Sequence, residues 1–185
     1  KPLVTHLYLY AAFGGFLHLV FEKDGRVVVN RTSLPPRVVN KLQQELVLVY
    51  SGLRRSTDKV LGVTAERFSR EENVYAEINE FRKIGNEMRM MLVNDKVDDF
   101  ISNLKKLLAA KKKCYGACTN ESLDKFIDKG YEAGAVGAKI IGAGGGGFVY
   151  FFVSPEKQEE FKKAITLAGG TVYPFSFVNE GCRVS

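Results

Sequence analysis

A run of glycines between two apolar segments is the strongest constraint in the sequence. Residues 137–149 read GAKIIGAGGGGFV, with glycine at Gly142, Gly144, Gly145, Gly146 and Gly147 and only Ala143 between them. A tight β-hairpin needs one or two glycines, because few of its residues take positive φ. So dense a run excludes side chains from a whole stretch of surface, as happens where backbone approaches a phosphate or another loop closely. No Lys-Ser or Lys-Thr pair follows it, so it is not a Walker A loop. The FVYFFV run after it reads as a strand rather than a helix, so it is not a dinucleotide fingerprint either. By spacing alone a plain hairpin and a phosphate-associated loop both stay open.

The flanking chain alternates helix and strand. Residues 15–22 and 26–30 are β-rich runs around the turn signal Lys23-Asp24-Gly25, which predicts a hairpin. Pro35 and Pro36 open a short helix to about Glu45, and residues 46–50 follow as a compact apolar strand. Helices are predicted over residues 57–68 and 70–93. In the second, Val74, Ile78, Phe81, Ile84, Met88 and Met91 recur at intervals of three and four, so its methionines are core material. Asn94 and Asp95 end that helix and are expected to cap the next, whose apolar face runs from Val97 to Leu108. Asn120 caps a helix closed by Gly134. A strand, the glycine loop, a second strand (148–153), a helix (155–167), a Gly169-Gly170 turn and a last strand (171–177) complete the chain. This order predicts an α+β fold with helices packed on an antiparallel sheet.

Composition narrows the function. The apolar fraction of 45% over 185 residues supports a sizeable core. No apolar run approaches the roughly 20 residues of a membrane span, and the start lacks the features of a secretory signal. The three cysteines, Cys114, Cys118 and Cys182, have no histidine at zinc spacing, so they are expected to be free thiols in a reducing cytoplasm, with no metal site. The net charge of +6 is scattered apart from Lys105, Lys106 and Lys111 to Lys113. Lysines at a helix C-terminus suit the helix dipole and a solvated face, so nucleic acid is not expected as a partner.

The segment GAKIIGAGGGGF resembles the third, C-terminal motif of the GHMP small-molecule kinases, which include galactokinase, homoserine kinase and mevalonate kinase. The segments AAFGGF (11–16), KDGRVVVN (23–30), LVYSGLRRST (48–57) and NEGCRV (179–184) extend the resemblance in order over essentially the whole chain. Within the superfamily the sequence is most similar to bacterial D-glycero-D-manno-heptose 7-phosphate kinases, and next to the kinase part of fucokinases.

The resemblance implies a ferredoxin-like antiparallel sheet with packed helices. Residues 1–56 correspond to a remnant of the N-terminal lobe and residues 57–185 to the C-terminal domain. It implies transfer of the γ-phosphate of ATP, with magnesium, to a sugar or sugar phosphate. Residues 142–147 would lie beside the nucleotide phosphates, with Gly14, Gly15, Arg54, Arg55, Ser56 and Lys139 toward the substrate. The partners so implied are the sugar and either a second copy of the chain or a separate N-terminal lobe, with no membrane. Two departures stand out. The family's phosphate loop, of the type P-x-x-x-G-L-G-S-S, is absent from the chain. Leu7 also occupies the place of the aspartate that resembles the catalytic base, so no catalytic residue is assigned. The alternative expectation is an inactive kinase remnant that serves as a binding or oligomerisation module.

Overall fold

The structure, a computed structural model, describes residues 2–54, 57–70 and 73–183. A helix, α1 (Pro2–Phe13), opens the chain and ends at Gly14 and Gly15, both at positive φ (61° and 68°). β1 (Leu17–Phe21) and β2 (Val27–Arg31) pair antiparallel as a hairpin. Asp24 accepts hydrogen bonds from the backbone and side chain of Arg26 at its tip, which holds the Asp24 carboxyl below the usual range. Pro36 starts α2 (Pro36–Glu45), where its missing N–H has no consequence, and β3 (Leu46–Tyr50) follows directly. Then come α3 (Thr57–Arg70), α4 (Val74–Val93), α5 (Val97–Ser102), α6 (Leu104–Tyr115) and α7 (Glu121–Glu132). The chain continues through β4 (Gly137–Ile140), β5 (Phe148–Phe152), α8 (Gln158–Leu167) and β6 (Thr171–Tyr173).

The four later strands form one sheet in the order β4-β5-β3-β6, each antiparallel to its neighbour. β3 and β4 therefore run the same way with β5 inserted between them, the split arrangement of a ferredoxin-like fold. Alternation along the strands assigns the faces. Val47, Val49, Ala138, Ile140, Val149 and Phe151 are buried with Leu123, Phe126 and Ile127 of α7 and Phe161 and Ile165 of α8. Phe161 and Ile165 lie one turn apart and are fully buried, each worth about 1.5–3 kcal/mol. Gly130 lets α7 approach, since a Cβ there would overlap the Phe151 ring. On the opposite face Leu46 and Phe152 pack with Val38 and Leu42 of α2, Ile84 and Met88 of α4, and Ile101 and Leu104. The sheet is thus sandwiched between α7 and α8 on one side and α2, α4, α5 and α6 on the other.

Three local expectations are corrected. The helix expected over residues 97–108 is two helices, because the chain turns at Asn103, which ends α5 and starts α6. Asn94 and Asp95 do not cap α5; Asp95 instead takes positive φ (60°) and its carboxylate receives the Arg37 guanidinium. The last strand ends at Tyr173 rather than residue 177, since Pro174 offers no N–H to a ladder. Beyond it Gln43 substitutes for a strand partner, donating to the Phe175 carbonyl and accepting from Phe177 N–H.

Candidate functional site

Ile141 N–H donates to the Phe148 carbonyl at 3.0 Å and closes the β4–β5 connection, from which residues 142–147 loop out. Gly142, Gly144, Gly145 and Gly147 take φ of 69°, 95°, 80° and 80°, values that disfavour any Cβ. Two neighbouring backbones grip the loop. The Cys118 carbonyl accepts from Gly145 N–H (2.8 Å) and the Leu53 carbonyl from Gly147 N–H (2.9 Å), while Ser51 N–H donates to the Gly147 carbonyl (2.8 Å). A Cβ on Gly144 would overlap the Cys118 carbonyl, and one on Gly146 would lie 2.5 Å from the Leu53 oxygen. Gly142 and Gly147 have open space where a Cβ would stand. The close approach inferred from the glycine run is thus to the protein's own backbone at two positions, and elsewhere the run serves dihedral freedom.

Side chains complete the grip. Asn120 accepts from Leu123 N–H (3.0 Å) to cap α7 and donates through Nδ2 to the Gly145 carbonyl (2.9 Å). Lys111 Nζ reaches back from α6 to the carbonyls of Gly142 (3.1 Å) and Ile140 (3.4 Å). Burial, and secondarily the positive charge of Lys139, push Lys111 down to about 8. Lys139 alternates onto the sheet face that carries Tyr150, its cross-strand partner. Part of its side chain meets solvent in a neighbouring cavity, while the surrounding protein desolvates the ammonium and lowers its pKa. The nearby Cys118 thiol is raised by burial. The Asp124 carboxylate in the first turn of α7 is already partnered: it pairs with Lys112 at 2.6 Å and accepts from Thr119.

The structure thus brings Arg54, exposed and one residue beyond the Leu53 carbonyl, to the rim of the loop. Arg55 and Ser56 lie outside the described residues. Gly14 and Gly15 pack on a different surface: a Cβ on Gly14 would lie 2.6 Å from the Glu180 oxygen, and Gly15 N–H donates to the Val178 carbonyl at 2.8 Å. Sequence reasoning missed Lys111 as a loop-holding group, since a Lys-Lys-Lys run reads as a solvated face. It identified Asn120 as a cap but not as a loop tether. Among the described residues no group of three or more His, Cys, Asp or Glu side chains is placed to hold a metal ion. No helix among them is long and apolar enough to cross a membrane.

Residues 76–171, a span covering α4 through the first residue of β6, match the family model described as GHMP kinases C terminal. The chain belongs to the GHMP kinases. This GHMP chain is 27% identical over 173 residues to the D-glycero-alpha-D-manno-heptose 7-phosphate kinase of Campylobacter jejuni, covering 94% of itself and 51% of that protein. It is 30% identical over 179 residues to the mevalonate kinase of Thermococcus onnurineus, covering 94% of itself and 49% of the relative. Among solved structures, a D-glycero-D-manno-heptose 1-phosphate kinase from Bacteroides thetaiotaomicron superposes with a TM-score of 0.63 at 25% identity, over 93% of this chain and 45% of the other. The GHMP chain therefore spans about half the length of the relatives it matches.

Proposed function

We propose that this chain is the C-terminal part of an ATP-dependent, cytoplasmic sugar or sugar-phosphate kinase of the heptose 7-phosphate kinase type. The observation that carries the reading is the gripped loop. The β3 exit, the end of α6 and the start of α7 all converge on residues 142–147 and fix a bare backbone wall, with Gly142 open to solvent. Lys111 and Arg54 add positive charge at that wall and Lys139 adds it nearby. Among the described residues none of the three is ion-paired with a carboxylate, which fits a surface for nucleotide phosphates. Bound ATP would supply the phosphoryl group, and the contribution of this chain is positioning and charge. Magnesium ligation is not assigned to any residue of this chain. Gly14, Gly15, Arg55 and Ser56, with Arg54 and Lys139 where the wall borders them, belong to the sugar side of this reading. Residues 1–56 count as the last part of an N-terminal lobe and 57–185 as the C-terminal domain. The two are tied together because β3, from the first, is hydrogen-bonded on both edges to strands of the second.

A second reading, a non-catalytic binding or oligomerisation module, is favoured by Leu7 at the position of the expected base. A coupled assay with ATP, magnesium and a panel of heptose 7-phosphate, fucose and galactose separates the two, run on the protein in the length its gene encodes and on the 185 residues alone. We expect turnover of roughly 1–100 s⁻¹ from the former. From the latter we expect none, since the 185 residues carry no P-x-x-x-G-L-G-S-S phosphate loop to orient the triphosphate. Inertness of both would establish the second reading, and saturable turnover by the 185 residues would overturn the incomplete-site account.

A further inference from the structure

Between the β1–β2 hairpin and helices α3, α4 and α6 lies a cavity of about 1190 Å³ that none of residues 142–147 line. It is as large as the pockets that enclose drug-sized ligands, roughly 300–1,000 Å³. Phe16, Phe68, Phe81, Phe100 and Tyr115 give it aromatic walls. Among the described residues its charged lining is Arg82, Arg89 and Lys139, with no Asp or Glu. The carboxylates of the adjoining helices, again among the described residues, are turned to other partners: Glu66 to Arg70, Glu77 to Arg67, Glu80 to Lys113, and Glu87 to Lys83 and Lys106.

Positive charge in an apolar enclosure is costly without a counterion. The cost is visible at Arg89. Among the described residues Arg89 Nε is buried with no hydrogen-bond partner, and its Nη1 approaches the Met90 sulfur at 3.8 Å. Lys139, an exposed residue, also lines the cavity. Buried donors in native proteins are nearly always satisfied, so an orphaned guanidinium nitrogen beside a large cavity marks a missing acceptor. Water could answer the polar groups but would leave the aromatic walls wetted, and a sugar would do the same.

We propose that this cavity binds an amphiphilic monoanion, an apolar chain or ring that carries one carboxylate, with Arg89 as the anchor of the carboxylate and the aromatic walls around the body. Arg82 and Lys139 supply the positive potential that selects the anion. Arg89 and the aromatic walls are separate from residues 142–147, and only Lys139 is shared with the charge beside the nucleotide wall.

The test uses the protein in the length its gene encodes, with dodecanoate, dodecanol and dodecyltrimethylammonium each titrated below its micellar concentration by calorimetry. Dodecanoate should saturate a single site and bind about tenfold or more tighter than dodecanol, with no saturable binding of the cationic amphiphile. Arg89→Gln should weaken dodecanoate about tenfold and leave dodecanol unchanged, with Arg89→Lys intermediate. Equal affinity for the acid and the alcohol, or no effect of Arg89→Gln in a variant whose thermal unfolding matches the parent, would overturn the assignment. So would absence of saturable dodecanoate binding, the outcome expected if another segment of polypeptide fills the cavity. Should the Arg89 variants fail to fold, the three-headgroup comparison on the unmodified protein decides alone.

Discussion

The loop at residues 142–147 and the crossing near Gly14 meet the same steric demand in different surroundings. In the loop, Gly144 and Gly146 press against the carbonyls of Cys118 and Leu53, and the fully buried Val149, Ile140 and Cys118 stand close by in sequence or contact. At the crossing, Gly14 and Gly181 lie face to face where the end of α1 passes the C-terminal tail. A Cβ on Gly181 would overlap the Ala12 carbonyl. The crossing is fastened by Gly15 N–H to Val178, Cys182 N–H to Ala11, and the Arg31 guanidinium to the Phe13 carbonyl. Behind it the side chains are open: Tyr8, Tyr10 and Phe13 are 72%, 46% and 40% exposed. A glycine backed by a dry core transmits its loss to the whole domain. One backed by solvent transmits it only to the segment it docks.

That contrast breaks first at Gly144. Gly144→Val forces a side chain into the Cys118 carbonyl and should cost about 3–5 kcal/mol, read as a lowered urea midpoint. A variant of unchanged midpoint would show that the loop relaxes freely and that its glycines are not structural. Gly181→Val should cost less, about 1–3 kcal/mol. Its signature is local: faster amide exchange in α1 and residues 178–182 with the four-stranded sheet still protected. Loss of protection across the sheet would erase the distinction between the two regions.

The loop's charged tether gives a subtler probe. Lys111 titrates near 8 in the folded chain and near 10.5 when unfolded, so between those values the unfolded state holds more protons. Folding stability should therefore rise with pH from about 8 to 10.5 through this group, by up to about 3 kcal/mol. The rise is to be read as the difference between the parent and Lys111→Met, because the raised pKa values of Tyr115 and Cys118 act in the opposite direction. A flat difference would place the ammonium in solvent rather than on the Gly142 carbonyl. Smallest of all, Gly142→Ala meets nothing within 4 Å. It should cost only the positive-φ penalty of about 1 kcal/mol. If the loop is a phosphate wall, turnover in the gene-length protein should fall more than the stability does.

Periodicity made the strands and most helices legible. β3 and α2 begin and end where the apolar and proline signals place them, and Asn120 caps α7 as its side-chain chemistry dictates. What stayed hidden depends on contacts distant in sequence. The turn at Asn103 interrupts an apolar face that continues unbroken on either side, so no pattern announces it. Lys111 sits in a run of three lysines, and only the packing of β4 against α6 presents it with two carbonyls. The five loop glycines were visible as a group, while Gly14, read from the resemblance as a substrate-side residue, and Gly181 showed this steric task only with the tail placed beside α1.

Asn120 joins helix and loop through the two ends of one amide, with Oδ1 on the backbone of α7 and Nδ2 on the Gly145 carbonyl. The two functions are chemically separable, since exchanging the NH₂ for an oxygen in Asn120→Asp keeps the acceptor and reverses the polarity toward the loop. The helix would keep its start, strengthened by the negative charge at its N-terminus, while the loop carbonyl would face repulsion instead of a donor. Order at the start of α7 and order in residues 142–147 thus share a single switchable atom, and one amide-exchange experiment on that variant reads both.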